Sequence, residues 1–408
     1  MRRVWLPDEV LDLIFKTMIT EPNLGWSASF NIRGVKRFVE ALRKRQPCNY
    51  LLVCRQWTRV ILNNRYLWTT ILVDPWSIQD LGFHSIYAKV EAHIQRSGKH
   101  PLNIVFICGV VRYSDMSDTL ASQRDGQLDL LLLLAGNDGQ VAARWGTCIV
   151  AWQGAIQSRR TDNPALTFPM PQLTSLSIWG WPRNKFPEDC FVDTPALKHI
   201  SGDSYTISTW AEECLSQVDT VETSDRFIEG PFKFLPRLQS VTVLKLHVRR
   251  RECWQNEEKF ENTPTVRLPT VIDFTVQGEV NAEFLSKFNL EGLRSLSLQL
   301  QLEAERVDPL LAVVNTFASP KIASLDFAIT QLRTDHGKPV EIVEWLLSFL
   351  EALPNVKRIT GTPHFLCAVL EAKQRKGYIL PLADLSHIPR SKKKKCKQRK
   401  AVLLKGSA

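Results

Sequence analysis

Pro171-Gln-Leu173-Thr-Ser-Leu176-Ser-Ile178 is echoed a short distance on by Pro195-Ala-Leu197-Lys-His-Ile200. The same pattern, Pro-x-apolar-x-x-apolar, returns at Pro236-x-Leu238-x-x-Val241 and Pro269-x-Val271-x-x-Phe274. It appears again at Pro320-x-Ile322-x-x-Leu325 and Pro354-x-Val356-x-x-Ile359. Two weaker units, Val218-x-x-Val221 and Leu293-x-x-Leu296-x-Leu298, fall between these copies. Several copies gain a further apolar residue two positions on, at Ile178, Val243, Val276, Leu298 and Phe327. Proline cannot donate to a ladder, so it suits the approach to a strand. The alternating apolar residues that follow point into a core. A unit this small cannot bury its apolar face alone, so neighbouring units must stack.

Between these strands the sequence supplies returns. Ala282 to Phe288 and Asp308 to Phe317 have helical character, and Pro339 to Leu353 is the clearest helix, with Ile342, Val343, Leu346, Leu347 and Leu350 on one side. Thr362-Pro363 starts another that ends near Gly377. Short strands alternating with helices favour parallel strands with helices on one side. The region resembles a leucine-rich-repeat solenoid. The Asn or Cys of that repeat is not consistently present, so the repeats are irregular. The other arrangement compatible with the pattern is a nonrepetitive α/β domain with several similar strands.

Upstream, Asp74-Pro75 ends a strand spanning Thr69 to Val73, and Ile86 to Arg96 reads as a helix capped by Gly98. Leu102 to Ile107 is a β-rich run, and Val111 to Gln127 is polar and reads as a loop. Leu128 to Leu134 is a buried helix or strand, which periodicity does not distinguish. Trp145 to Ile156 is expected to be a helix with Trp145 and Trp152 on one face, both serving as core.

The amino-terminal stretch holds two amphipathic pieces. Val10, Leu11, Ile14, Phe15 and Met18 form one apolar stripe, with Leu13 off it and Asp8 and Glu9 in the first turn. Val53, Trp57, Val60 and Ile61 form the second, and Asn63-Asn64 interrupts it as a turn would. Together Leu6-Pro7-x-Glu9-Val10-Leu11-x-x-Ile14-Phe15, then Leu52-Val53-Cys54-Arg55-x-Trp57, then Leu67-Trp68, resembles an F-box. A softer echo follows, since Arg96-Ser97-Gly98-x-x-Pro101-Leu102 is similar to the segment after the F-box in many fungal, basidiomycete-type F-box proteins. The departure is an insert at 20–47, which carries the basic amphipathic stretch Val35 to Arg45 and reads as a looped-out helix. The resemblance implies docking on a SKP-family adaptor, and through it on a cullin, by Leu6, Pro7, Val10, Ile14, Leu52, Val53 and Trp57.

Composition narrows the rest. Apolar content of 44% and charged content of 23% are ordinary for a globular chain. No window approaches the roughly 18 uninterrupted apolar residues of a membrane span. Asp8, Glu9 and Asp12 interrupt any signal core, so an intracellular protein, nuclear or cytoplasmic, is expected. Nine cysteines are scattered without Cys-x-x-Cys, as free thiols in a reducing compartment would be. The net charge of +10 is mostly a tail, because Leu385 onward carries nine Lys or Arg and no acid. That tail reads as disordered and solvated, with nuclear import as its sharper role. It lacks the aromatic interleaving that supports base stacking, so nucleic acid is not expected as a partner. Phosphate-binding, dinucleotide, nucleophile-elbow and metalloprotease motifs are absent, which leaves no catalytic, cofactor or metal residues to nominate.

The expected architecture is α/β, an all-α F-box-like domain followed by an irregular leucine-rich-repeat-like solenoid. Its divisions are 1–75, with the insert at 20–47, a connecting α/β segment at 76–165, repeats at 166–385 and the basic tail at 386–408. The expected function is a non-catalytic substrate receptor of an SCF-type cullin-RING ubiquitin ligase that binds a protein target through its repeats. The alternative is a non-ligase scaffold whose amino-terminal helices cap the solenoid. Third is a nucleic-acid binder driven by the tail.

Overall fold

The computed structural model describes residues 6–20, 32–109, 117–153, 164–180, 190–191, 193–210, 212–225, 229–248, 264–278, 282–303, 322–333 and 358–360. The helices expected at 308–317, 339–353 and 362–377 and the basic tail lie outside these residues. The chain divides into two compact units, Met1–Val218 and Asp219–Ala408. Residues 75 and 165 therefore both fall inside the first unit.

The first unit opens with three helices, α1 (Asp8–Thr20), α2 (Ile32–Lys44) and α3 (Arg55–Asn63). A parallel sheet follows in chain order: β1 (Thr70–Val73), β2 (Leu102–Gly109), β3 (Trp145–Gln153), β4 (Ser175–Trp179) and β5 (His199–Gly202). The long helices α4 (Pro75–Ser97) and α5 (Ser117–Ala135) return the chain between the first three strands. Asp74 caps α4 by accepting from the Ser77 amide at 2.9 Å, and Gly98 ends it at φ 60°.

The register explains why these strands stack. Ile71, Ile104, Cys148, Leu176 and Ile200 stand opposite one another across the five strands, and all are buried. Val73, Phe106, Val150, Ile178 and Gly202 form the next row. Gly202 closes that row because a Cβ there would lie 2.6 Å from the Ile178 carbonyl oxygen.

The second unit repeats the plan with β6 (Thr220–Asp225), β7 (Val243–Val248), β8 (Asp273–Gly278), β9 (Ser295–Glu303), β10 (Ser324–Arg333) and β11 (Arg358–Thr360), again parallel. Val221, Leu244, Phe274, Leu296, Leu325 and Ile359 share one register row. Ahead of several strands the turn donates a backbone N–H to the previous turn, as from Ile272 to Thr242 at 2.8 Å and from Arg294 to Ile272 at 2.9 Å. Short helices such as Glu229–Phe234 and Ala282–Ser286 carry the chain back. Phe232, Phe284 and Phe288 cluster there, with ring centroids 5.2–5.6 Å apart.

Several sequence expectations are corrected. The copy at Pro236 is out of phase, because Leu244 rather than Val241 pairs with Phe274. Val243 pairs with Asp273 and is only half-buried, while Leu244, Leu246 and Val248 make the inward set. Pro236 lies in the single 3-10 turn Leu235–Arg237 rather than at a strand approach. Trp145 to Gln153 is a strand, not a helix; Cys148 and Val150 face one side while Ile149 and Ala151 face the other, both sides apolar, so the alternation that marks a strand is blurred. Ser117 to Gln127, read as loop, is the first half of α5, and Leu128 to Leu134 completes that helix. Helix α4 begins at Pro75, with a kink at Gly82 (φ 74°), well before Ile86.

Candidate functional site

The amino-terminal helices form their own small core. Leu11, Phe15 and Ile19, at i, i+4 and i+8 on α1, pack with Val60 and Ile61 of α3 and with Leu67 and Trp68. Trp57 sets its ring edge-on to Phe15, centroids 5.0 Å apart at 83°. The Trp68 indole N–H donates to the Ile61 carbonyl at 2.9 Å, and the Arg96 guanidinium lies 4.4 Å above its ring. His93 is buried beneath, its Nδ1 3.2 Å from the Trp68 carbonyl oxygen. A carbonyl only accepts, so Nδ1 carries the proton. Burial holds this imidazole well below its ordinary range, at about 4.

The predicted stripe on α1 is thus split. Leu11 and Phe15 turn inward, whereas Val10, Ile14 and Met18 are exposed. Leu13, set aside by the periodicity, is exposed beside them at 66%. Leu6 and Pro7 are also exposed, and in the loop before α3 Leu52 is 96% and Val53 55% exposed. Val53 precedes the helix, which starts at Arg55 with Cys54 as its cap, so it does not share a helical face with Trp57. Trp57 itself is half-buried. Among the seven residues nominated from the sequence, Trp57 is therefore committed partly to the core, and the other six carry exposed apolar surface. Leu13 and Met18 extend that surface; Met18 lies on the predicted stripe, and Leu13 stands off it at i+3 from Val10.

Polar ties hold the surface in place. Gln56 Nε2 donates to the Leu6 carbonyl at 2.7 Å and to Asp8 Oδ1 at 2.8 Å, and Arg59 pairs with Asp8 at 2.6 Å. The Gln56 hydrogen bond, with help from Arg59, holds the Asp8 carboxyl below its usual range. Asn64 donates to Asp12, and Thr58 to the Leu51 carbonyl. The start of α1 is thus sewn to α3, although they lie far apart in sequence.

Within the insert, α2 is not looped out. Val35, Val39 and Leu42 of α2 pack on Leu72, Val105, Ile107, Ala151 and Trp179, with Phe38, Trp76 and Ile149 at the margins. Leu72, Val105 and Ile149 stand opposite one another on the sheet face that alternates with the inward rows. Arg43 secures the end of the helix through Nη2 to Asp74 Oδ1 at 2.6 Å and Nε to Oδ2 at 3.3 Å.

In the second unit the corresponding face is polar. Glu222, Lys245, Thr275, Ser297 and Asp326 occupy successive strands at one register. Glu222 lies 3.8 Å from Lys245 and 3.5 Å from His247, whose Nδ1 is 2.8 Å from Gln277 Oε1. Among the described residues no His, Cys, Asp or Glu cluster is arranged to hold a metal, and no helix is long and apolar enough to cross a membrane. Cys48 and Cys54 are exposed free thiols, while Cys108, Cys148, Cys190 and Cys214 are buried.

No known family profile matches the chain, and no curated protein matches it. Among solved structures it is similar to the leucine-rich repeat-containing protein LegL7 from Legionella pneumophila. The match has 13% identity and a TM-score of 0.35, and covers 72% of this chain and 96% of that one.

Proposed function

We propose that the chain is a non-catalytic substrate receptor of an SCF-type ubiquitin ligase. Its amino-terminal helices dock on a SKP-family adaptor, and its irregular, leucine-rich-repeat-like strands bind a protein target. The observation that carries this reading is the exposed apolar surface of Leu6, Val10, Leu13, Ile14, Leu52 and Val53, on elements whose opposite sides are fully packed. Exposed apolar side chains gathered on α1 and the loop before α3 mark a candidate interaction site. The F-box resemblance points to the partner, because Leu6, Val10, Ile14, Leu52 and Val53 are among the residues that carry the motif. The capping alternative requires this face to be buried, and Val10 and Ile14 retain 40% and 36% exposure. The receptor would supply proximity, raising the effective concentration of the target's lysines near the ubiquitin carrier.

A pull-down of the full chain with purified SKP-family adaptor tests the reading. Leu52→Asp combined with Ile14→Asp is expected to abolish capture while leaving the thermal transition unchanged. Capture that survives this double change, or no capture of the unaltered chain, would overturn it.

A further inference from the structure

We infer that α2 is a strap bound in cis to a helix-binding groove on the sheet of the first unit. The groove is built from Leu72, Val105, Ile107, Ala151 and Trp179, strand residues whose neighbours in the chain face the other side and are buried there, such as Ile71, Ile104 and Phe106. Helix α4 packs against β1 and β2, giving the sheet a core of its own. The amino-terminal core of α1 and α3 likewise closes without α2, since none of its members comes from that helix. The strap thus closes a third apolar cluster, separate from the core of α1 and α3 and from the inward rows of the sheet.

Its contact follows the pattern by which an amphipathic helix lies in an apolar groove. Aliphatic anchors stand at i, i+4 and i+7, namely Val35, Val39 and Leu42. A cation, Arg43, follows the last anchor and meets Asp74, a carboxylate with no exposed surface at the groove's edge. The opposite side of the helix presents Lys36, Arg37, Glu40 and Lys44 to solvent. The groove therefore selects a helix with three small aliphatic anchors and an arginine placed for Asp74. A partner helix of that chemistry competes with α2 for the site.

The test uses a fluorescent peptide with the sequence of residues 32–46 and the full-length chain. Binding to a Val39→Asp/Leu42→Asp chain is expected to be at least tenfold tighter than to the unaltered chain. It is expected to vanish when the peptide itself carries Val39→Asp. Equal affinity for both chains, or no binding to a folded double variant, overturns the proposal. Failure of the double variant to fold also overturns it, because α2 would then be core rather than strap. Hydrogen exchange on the unaltered chain gives an independent reading. Amides of α2 are expected to exchange at least tenfold faster than those of β2, and matched rates sink the idea.

Discussion

Leu72, Val105, Ile107, Ala151 and Trp179 line the second face of the sheet in the first unit, where α2 packs on them; Glu222, Lys245, Thr275, Ser297 and Asp326 line that face in the second unit. In both units the strands run parallel, and both place aliphatic and aromatic rows on the inward side. What differs is the alternate position. In the first unit it is apolar and buried; in the second it is hydrogen-bonding or charged. The same backbone plan therefore yields a groove that must be covered and a surface able to face water. Under the proposed function this polar row is where specificity for a target would lie, because polar side chains spread over several strands supply specificity.

The strongest way to break this contrast is to place a charge on each face. Val105→Asp buries a carboxylate that has no cation beside it, and is expected to cost about 4 kcal/mol. Thr275→Asp, at the alternate position of β8, is expected to cost less than about 1 kcal/mol. Urea denaturation of the two variants reads the difference, and equal costs would erase the distinction between the faces. Next in size is Arg43→Ala. It takes the paired cation from buried Asp74, leaving the two bonds from Ser77 and the charge of Lys89 nearby, and a loss of about 2–3 kcal/mol is expected. Arg43→Lys should recover part of that loss, since a lysine restores the charge but not the two-pronged geometry.

These residues also show what sequence could and could not reveal. The amino-terminal helices were legible because their signals are local: Asp8 and Glu9 at a helix start, apolar spacing along α1, and Asn64 at a turn. The repeat was legible because one register row recurs from Ile71 to Ile200 and again from Val221 to Ile359. Where a strand is apolar on both faces, as β3 is, period-two alternation disappears and the sequence mimics a helix. The role of α2 was hidden for another reason. Its amphipathicity was visible, but its groove is assembled from β1 to β4, so nothing near Val39 announces Val105 or Trp179. On α1 the spacing found the helix but not the division of its apolar residues, because Leu11 and Val10 look alike until α3 packs on one side only.

Acid provides a third test, directed at the first unit. His93 titrates near 4 when folded, against an ordinary value of 6.5. As pH falls, the unfolded chain takes up its proton first, so stability is lost from about pH 6.5 downward, and the loss levels off near pH 4. By pH 5 this amounts to about 2 kcal/mol at 1.36 kcal/mol per unit. Thermal melts at pH 7.5 and pH 5 should show the fall, and His93→Gln should flatten it. An unchanged slope in that variant would assign the acid sensitivity elsewhere.

The smallest expected effect is the most discriminating for the second unit. Lys245 keeps 41% of its side chain exposed and lies 3.8 Å from Glu222, a distance at which solvent screens the pair. Glu222 keeps only 11% of its side chain exposed, so Lys245→Ala should cost about 0.5–1 kcal/mol, the upper range for a pair with one exposed partner. Its contrast with Arg43→Ala is the point. Both changes remove a cation that faces a carboxylate on the alternate side of a sheet or at its edge, yet only Asp74 is fully buried. If Lys245→Ala proved as costly as Arg43→Ala in the same urea titration, the polar row would be a structural network holding the strands together. A negligible cost would mean that the Lys245–Glu222 pair does not hold these strands together.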